Sequence, residues 1–513
     1  VVRLEGQRAG VGDVGAPDPG DVVGARRRED VVHVTVGPDV LALGVAVDLL
    51  RPGVPVTVHL VGEADGDRVV EIRDAPRPGA DVGVVAPVED VRELVLDRGK
   101  IVDCCPAATA RQTYSASATY ERPDHLLIPG LVNAHTHAAM SLMRGMADDL
   151  ELMEWLQAHV WPAEKQWVSR DFVRDGTTLA VAEMLTGGTT CCNDMYFFPD
   201  VAAQTAADLG MRFVTGIIVL DGPSPWAADL EEYLVKGLEM RDSFRGTPLV
   251  HTIFAPHSPY TVGDEALLRV RKLADELDAT VHIHLHESAE EIEQSVARFG
   301  KRPIARLDDL GLINPQLLAV HLTQVTEEEI ECLARGGARV VHCPESNMKL
   351  ASGFCPVVDL VDHGITVALG TDGAASNNDL CMLGEMRTAS LLGKVVSGRA
   401  DALSAHETLQ MATLAGARAL GLDEQIGSLE PGKWADIVAI DLAALNTQPV
   451  YDPVSQLVYA ASRDCVGDVW VAGRHLVVDG RLVDVDTEVL RELSARWQER
   501  LQPFARRPEN NGE

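Results

Sequence analysis

From residue 126 to residue 373 the chain alternates short apolar runs with longer stretches of helical period. Eight runs have strand length and are rich in β-branched residues: LLIPGLVNA (126–134), TTCCNDM (189–195), RFVTGIIVL (212–220), VHTIFAP (250–256), TVHIHLH (280–286), LLAVHLT (317–323), ARVVHCP (338–344) and TVALGTDG (366–373). The intervals carry amphipathic patterns such as SRDFVRDGTTLAVAEMLTGG (169–188), with Ser169 as the expected N-cap and Gly187 as the expected stop. Eight strand-then-helix units predict an α/β fold, a (β/α)8 TIM barrel. An open doubly wound sheet is the alternative, but no Gly-rich phosphate loop follows the first strand.

The flanks read differently. VRELVLDRGKIVDC (91–104) puts a turn at Arg98-Gly99 between two apolar strands, and DIVAIDL (436–442) and VWVAGRHLVVDGRLV (469–483) are strands with Gly-centred turns. Both terminal segments are expected to join in one composite β-sandwich. The predicted organisation is an extension at 1–80, an N-terminal sandwich segment at 81–128, the barrel at 129–424, a C-terminal sandwich segment at 425–485, and a C-terminal helix and tail at 486–513. Residues 1–80 contain no Phe, Trp, Tyr, Met, Cys, Lys, Ser or Asn. Without aromatics such a segment buries little surface, so it is expected to be poorly ordered or non-native-like and to lie outside the functional fold. Val1 in place of methionine, with Met140 the first Met, fits a wrongly placed start.

Composition narrows the function. A formal charge of −32 repels nucleic acid and anionic lipid, so neither is an expected partner. Nine cysteines, an odd number without CxxC spacing, read as reduced thiols in a cytoplasmic protein. No apolar run reaches the roughly 20 residues that span a bilayer, and LALGVAVDLL (41–50) is short and carries Asp48.

The chemistry sits at the strand ends, where a barrel places its active site. In NAHTHAAM (133–140), His135 and His137 are two apart and point to one side of a strand, a spacing that suits Zn²⁺ or another borderline divalent metal. In VHIHLHES (281–288), His282, His284 and His286 share parity, so periodicity cannot choose a ligand among them; Glu287 follows at the strand end, placed to shuttle protons. AVHLTQ contributes His321 and ALGTDGAASNN contributes Asp372. Three His and one Asp hold one metal and leave a position for water, whose pKa falls from about 15.7 towards 7. Asp372 can take the water's proton, and Glu287 can protonate substrate and leaving group. Glu164, in what reads as a long loop after the first strand, and His257, after the fourth, would by themselves pass for a solvated glutamate and a turn histidine.

PGLVNAHTHAAMSLMRG, HIHLHES, HCPESNMKLASG and LGTDGAASNN, in this order, resemble the amidohydrolase superfamily. Within it the chain is most similar to the 5′-methylthioadenosine/S-adenosylhomocysteine deaminases and the triazine-type chlorohydrolases, over roughly residues 82–490. The resemblance implies a barrel with a composite β-sandwich and, usually, zinc. It selects His284 as third ligand beside His135 and His137, with Asp372 as fourth. It gives Glu287 proton shuttling and substrate contact, places His321 near the attacked carbon, and makes Glu164 and His257 substrate-binding, Glu164 through the ribose hydroxyls. No lysine falls where a carbamylated bridging ligand would be, which favours one metal. Members that hold the homocysteine carboxylate carry an arginine on the third strand. Here GMRFVTGIIVLDG (210–222) has none after Arg212, and Ile217 is the expected counterpart. That tilts the expected substrate to 5′-methylthioadenosine or adenosine, deaminated to an inosine-type nucleoside and ammonia. The expected partners are a purine nucleoside and further copies of the chain in a homo-oligomer. The alternatives are hydrolysis of a triazine or guanine-type base and, from another class, an inactive oligomeric scaffold.

Overall fold

The computed structural model describes residues 33–36, 57–60, 92–122 and 124–506. Eight parallel strands follow one another in sequence order around one sheet: Leu131–Thr136, Thr189–Asp194, Arg212–Val219, Val250–Pro256, Val281–Leu285, Leu317–His321, Arg339–His342 and Val367–Leu369. The first and last strands meet across a seam where Thr371 N–H donates to Asn133 Oδ1 at 3.0 Å and Asp372 N–H to the His135 carbonyl at 3.0 Å. Helices cover the outside, so nearly every strand residue is buried and the strands read as continuous apolar runs. The helix Arg170–Thr186 starts where its cap predicts: Ser169 Oγ accepts the Phe172 N–H at 3.3 Å, and Gly187 ends it.

The run 126–134 is two strands in two sheets rather than one. His125–Pro129 pairs antiparallel with Ile437–Asp441, and Leu131–Thr136 opens the barrel. Gly130 marks the crossing: a Cβ there would lie 1.9 Å from Thr190 Oγ1. An apolar run reports burial, not which sheet does the burying, so the break was legible only as a glycine.

His125–Pro129 joins Ile437–Asp441, Val466–Val471, Arg474–Val478 and Arg481–Leu482 in an antiparallel sheet. A second sheet holds Arg92–Asp97 and Lys100–Pro106, joined by the predicted turn at Arg98-Gly99, together with Ala118–Glu121. Two short strands from the expected extension, His33–Val36 and Thr57–Leu60, also pair there; the rest of 1–80 lies outside the described residues. Leu94, Leu96 and Ile101 pack against Leu127, Ile437 and Trp470, so the core of the sandwich draws on both terminal segments. Sandwich and barrel are tied by a buried pair. Arg212, at the foot of the third barrel strand, holds Asp436 through Nε at 2.9 Å and Nη2 at 3.1 Å. Among the described residues no helix is long and apolar enough to cross a membrane.

Candidate metal centre and active site

The closing seam of the barrel brings His135 beside Asp372. His135 Nε2 and His137 Nε2 lie 3.2 Å and 3.1 Å from Asp372 Oδ1, and His284 Nε2 lies 3.2 Å from His135 Nε2. These four side chains each present one ligand atom within 4.8 Å of the others.

The outer ring nitrogens fix the tautomers. His137 Nδ1–H donates to the Met195 carbonyl at 2.6 Å and His284 Nδ1–H to the His257 carbonyl at 2.7 Å. His135 Nδ1 is 3.0 Å from His282 Nε2. In the neutral ring, His137 and His284 each therefore turn an Nε2 lone pair towards the centre, where His284 Nε2 faces His135 Nε2 at 3.2 Å. Three ring nitrogens and one carboxylate oxygen converging within 4.8 Å are the donors a divalent cation takes, and the set fits one such ion. Asp372 Oδ2 accepts hydroxyl hydrogens from Ser346 at 2.7 Å and Ser376 at 2.6 Å, which orients the carboxylate.

The parity triplet is resolved by these contacts. His284 joins the cluster. His282 sits beneath it against His135, its own Nδ1 buried without a partner. His286 is turned away by a positive φ of 54°, and its Nε2 accepts the Ile304 N–H at 3.1 Å.

The cluster opens onto a pocket of ≈ 260 Å³ that also exposes Glu164, His257, Glu287 and His321. His321 Nδ1 is 2.9 Å from Asn347 Oδ1, leaving Nε2 free to face Glu287 Oε1 at 3.7 Å. Burial pushes the Glu287 carboxyl up, and it pushes the His257 imidazole down to about 3, which keeps that ring neutral. Glu164 lies on the helix Trp161–Trp167, not in a loop: a π-helical turn, Leu156–Val160, precedes that helix and Pro162 is tolerated in its first turn. Burial raises its carboxyl to about 7, against a hydrogen bond from Tyr196 Oη at 2.7 Å.

The structure thus brings all eight expected site residues together: seven line one cavity, and His135 lies buried behind it in the His₃Asp cluster. Ile217 is the exception among the substrate-tail expectations. It faces outward, so that a Cβ on Gly237 of the helix Leu230–Ser243 would lie 2.1 Å from its Cγ2. Alternation along the strand puts Ile218 on the pocket instead, with Leu220 beyond it. Ser346, Asn347 and Ser376 lie inside the motifs HCPESNMKLASG and LGTDGAASNN without a role of their own there, and Tyr196 lies in none of the motifs. All four follow barrel strands at the C-terminal end, which was the available signal.

A closed parallel barrel with a His₃Asp cluster at its mouth defines a metal-dependent hydrolase. The sequence profile of the Amidohydrolase family matches residues 126–476, and the chain belongs to that family. A "5-methylthioadenosine/S-adenosylhomocysteine deaminase" of Teredinibacter turnerae is 50% identical over 408 residues, covering 80% of this chain and 92% of the relative. An adenosine deaminase from Xanthomonas campestris, solved with bound zinc, superposes with a TM-score of 0.79 at 52% identity, covering 82% of this chain and 95% of the other. The zinc complex of atrazine chlorohydrolase TrzN from Arthrobacter aurescens gives a TM-score of 0.74 at 25% identity, covering 79% and 95%.

Proposed function

We propose that the chain is a zinc-dependent hydrolytic deaminase that converts 5′-methylthioadenosine, and adenosine with it, to the inosine-type nucleoside and ammonia. One observation carries the reading: the His₃Asp cluster opens onto a pocket lined by two further carboxyl groups, Glu287 and Glu164. Relatives named for this activity support it.

His135, His137, His284 and Asp372 would hold the metal. When bound, the cation supplies Lewis acidity that brings the pKa of a water at the site towards neutrality. Asp372 receives the proton of the water that adds to C6 of the adenine. Glu287, whose carboxyl is pushed up by burial, delivers its proton to N1. His321, held by Asn347, presents Nε2 beside the oxygen added at C6. The C6–N6 bond then breaks: the proton taken by Asp372 is relayed through Glu287 to the departing amino group, which leaves as ammonia, and the C6 hydroxyl proton resets Glu287 as the C6 carbonyl forms, so that water in equals ammonia out. Glu164 accepts the ribose hydroxyls and His257 contacts the substrate through its free Nε2.

Around the 5′ position the walls are apolar: Leu152, Trp155, Leu156, Phe197, Ile218 and Leu220. No lysine or arginine is among the lining residues, so a thioether or hydroxyl is favoured over the homocysteine carboxylate. A triazine or guanine-type base is the rival substrate, and it would make no use of Glu164. A deamination screen over 5′-methylthioadenosine, adenosine, S-adenosylhomocysteine and triazines tests the assignment; turnover of the triazines alone would overturn it.

We also infer a cytoplasmic homo-oligomer. Nine free cysteines support a reducing compartment. The apolar face Leu391, Val395 and Val396 on the helix Met382–Ser397, with Val395 79% exposed, supports self-association. Light scattering that returns a monomer would contradict the latter.

A further inference from the structure

Ser288-Ala-Glu-Glu291 has the sequence of a capping box at the start of the helix Ala289–Phe299. The serine behaves accordingly, its Oγ accepting the Glu291 N–H at 3.3 Å. Glu291 does not. Its carboxylate instead accepts the N–H of Glu287 at 2.8 Å and the N–H of His286 at 3.1 Å. The same four-residue pattern closes in the ordinary way elsewhere in the chain, at Thr326/Glu329 and at Ser404/Glu407. The sequence pattern is therefore not what redirects Glu291.

What differs is the turn it reaches. His286 is left-handed, with φ 54°, and the next residue is Glu287, whose carboxyl enters the pocket. The other side of that residue is held too, by the Thr323 hydroxyl donating to the Glu287 carbonyl at 2.7 Å. The backbone of Glu287 is thus fixed at both peptide groups. Its side chain has no comparably short contact: His321 Nε2 is 3.7 Å away.

Glu291 is only 4% exposed, and its carboxylate's hydrogen-bond partners among the described residues are those two peptide groups, with no cation. Burial pushes its carboxyl up to about 8 although both N–H groups pull the other way. An exposed glutamate closing the box on Ser288 would cap the same helix without that penalty.

We propose that Glu291 is a positioning residue, clamping the 286–287 turn so that Glu287 presents its carboxyl to the substrate ring. The proposal rests on the role of Glu287 given above. The test compares Glu291→Gln, Glu291→Ala and Thr323→Val with wild type on 5′-methylthioadenosine, with zinc content, thermal midpoint and a crystal structure of each variant. A displaced carboxyl costs rate, not affinity: kcat of Glu291→Ala falls roughly 10- to 100-fold, while KM stays within about threefold. Zinc content stays at the wild-type value; the thermal midpoint of Glu291→Ala falls because two buried N–H groups lose their acceptor, but the loss of kcat persists at temperatures well below that midpoint. Glu291→Gln falls between, because its amide oxygen still accepts one N–H, and Thr323→Val loses kcat alone. Unchanged kcat in Glu291→Ala, or a loss that tracks zinc or disappears well below the thermal midpoint, overturns the proposal. If Glu291→Ala does not fold, Glu291→Gln and Thr323→Val decide by the same criteria. If wild type turns over no adenine nucleoside, the function reading has failed on its own. The structures then decide the clamp: a Glu287 carboxyl that moves with the turn supports it, and one that stays in place overturns it.

Discussion

The Tyr196 hydroxyl donates to Glu164 Oε1 at 2.7 Å, and both side chains line the pocket that opens from the metal cluster. The contact holds one carboxylate oxygen, and in the proposed function the other accepts the ribose hydroxyls. Hydrogen bonds to charged groups contribute about 1.5–3 kcal/mol. Tyr196→Phe is expected to raise KM for 5′-methylthioadenosine roughly tenfold with kcat little changed. Glu164→Ala raises it further. Steady-state kinetics on nucleoside and free adenine check this: equal effects on both would mean that Glu164 does not read the ribose.

The side chains around the 5′ position make a second prediction. Leu220 lines the pocket and Ile217 does not. Leu220→Arg is expected to raise the preference for S-adenosylhomocysteine over 5′-methylthioadenosine, read as the ratio of kcat/KM values, by roughly tenfold for a charge-assisted contact. Ile217→Ala leaves that ratio unchanged and costs about 2–4 kcal/mol of stability as a buried large-to-small change. A shift of the ratio by Ile217→Ala would contradict the observed facing of the strand.

Asp468 predicts a pH dependence. It accepts from Arg122 Nη2 at 2.8 Å and His475 Nε2 at 2.9 Å. Burial by itself would raise its carboxyl, but His475 and Arg122 outweigh it and bring it down to about 2. The unfolded chain therefore binds this proton more readily, near the ordinary Asp value of about 3.9. The stabilisation is fully present above about pH 4 and lost as pH falls through about 2, an increment of roughly 2 kcal/mol. Thermal melts between pH 5 and 2 should show it, and Asp468→Asn should lack it. An equal acid slope in both proteins would contradict the assignment.

The terminal segment gives a clean truncation test. A chain beginning near Ala80 is expected to keep kcat and thermal midpoint. Loss of either would mean that the strands His33–Val36 and Thr57–Leu60 belong to the working fold.

The barrel was legible because each strand is buried on both faces, which leaves an unbroken apolar run ending in a polar residue. The members of the His₃Asp cluster were partly legible for the same reason: His135, His137 and Asp372 are polar residues at or just beyond those ends. The sheet change at Gly130 was not, since burial on either side of it looks alike in sequence. Nor was the choice of His284 over His282 and His286. Alternation treats the three as equal, and only the positive φ at His286 and the His135–His282 contact separate them. The outward facing of Ile217 needed the strand's register, which a motif match does not carry.

The central claim is metal-dependent deamination of an adenine nucleoside, and its most direct test is ammonia release from 5′-methylthioadenosine by the purified protein before chelation, after chelation, and after zinc is restored. The expected result is one zinc per chain, release of one ammonia per inosine-type product, loss of both on chelation, recovery with zinc, and neither bound zinc nor turnover in His284→Ala. Zinc bound at one per chain with no adenine nucleoside turned over would contradict it.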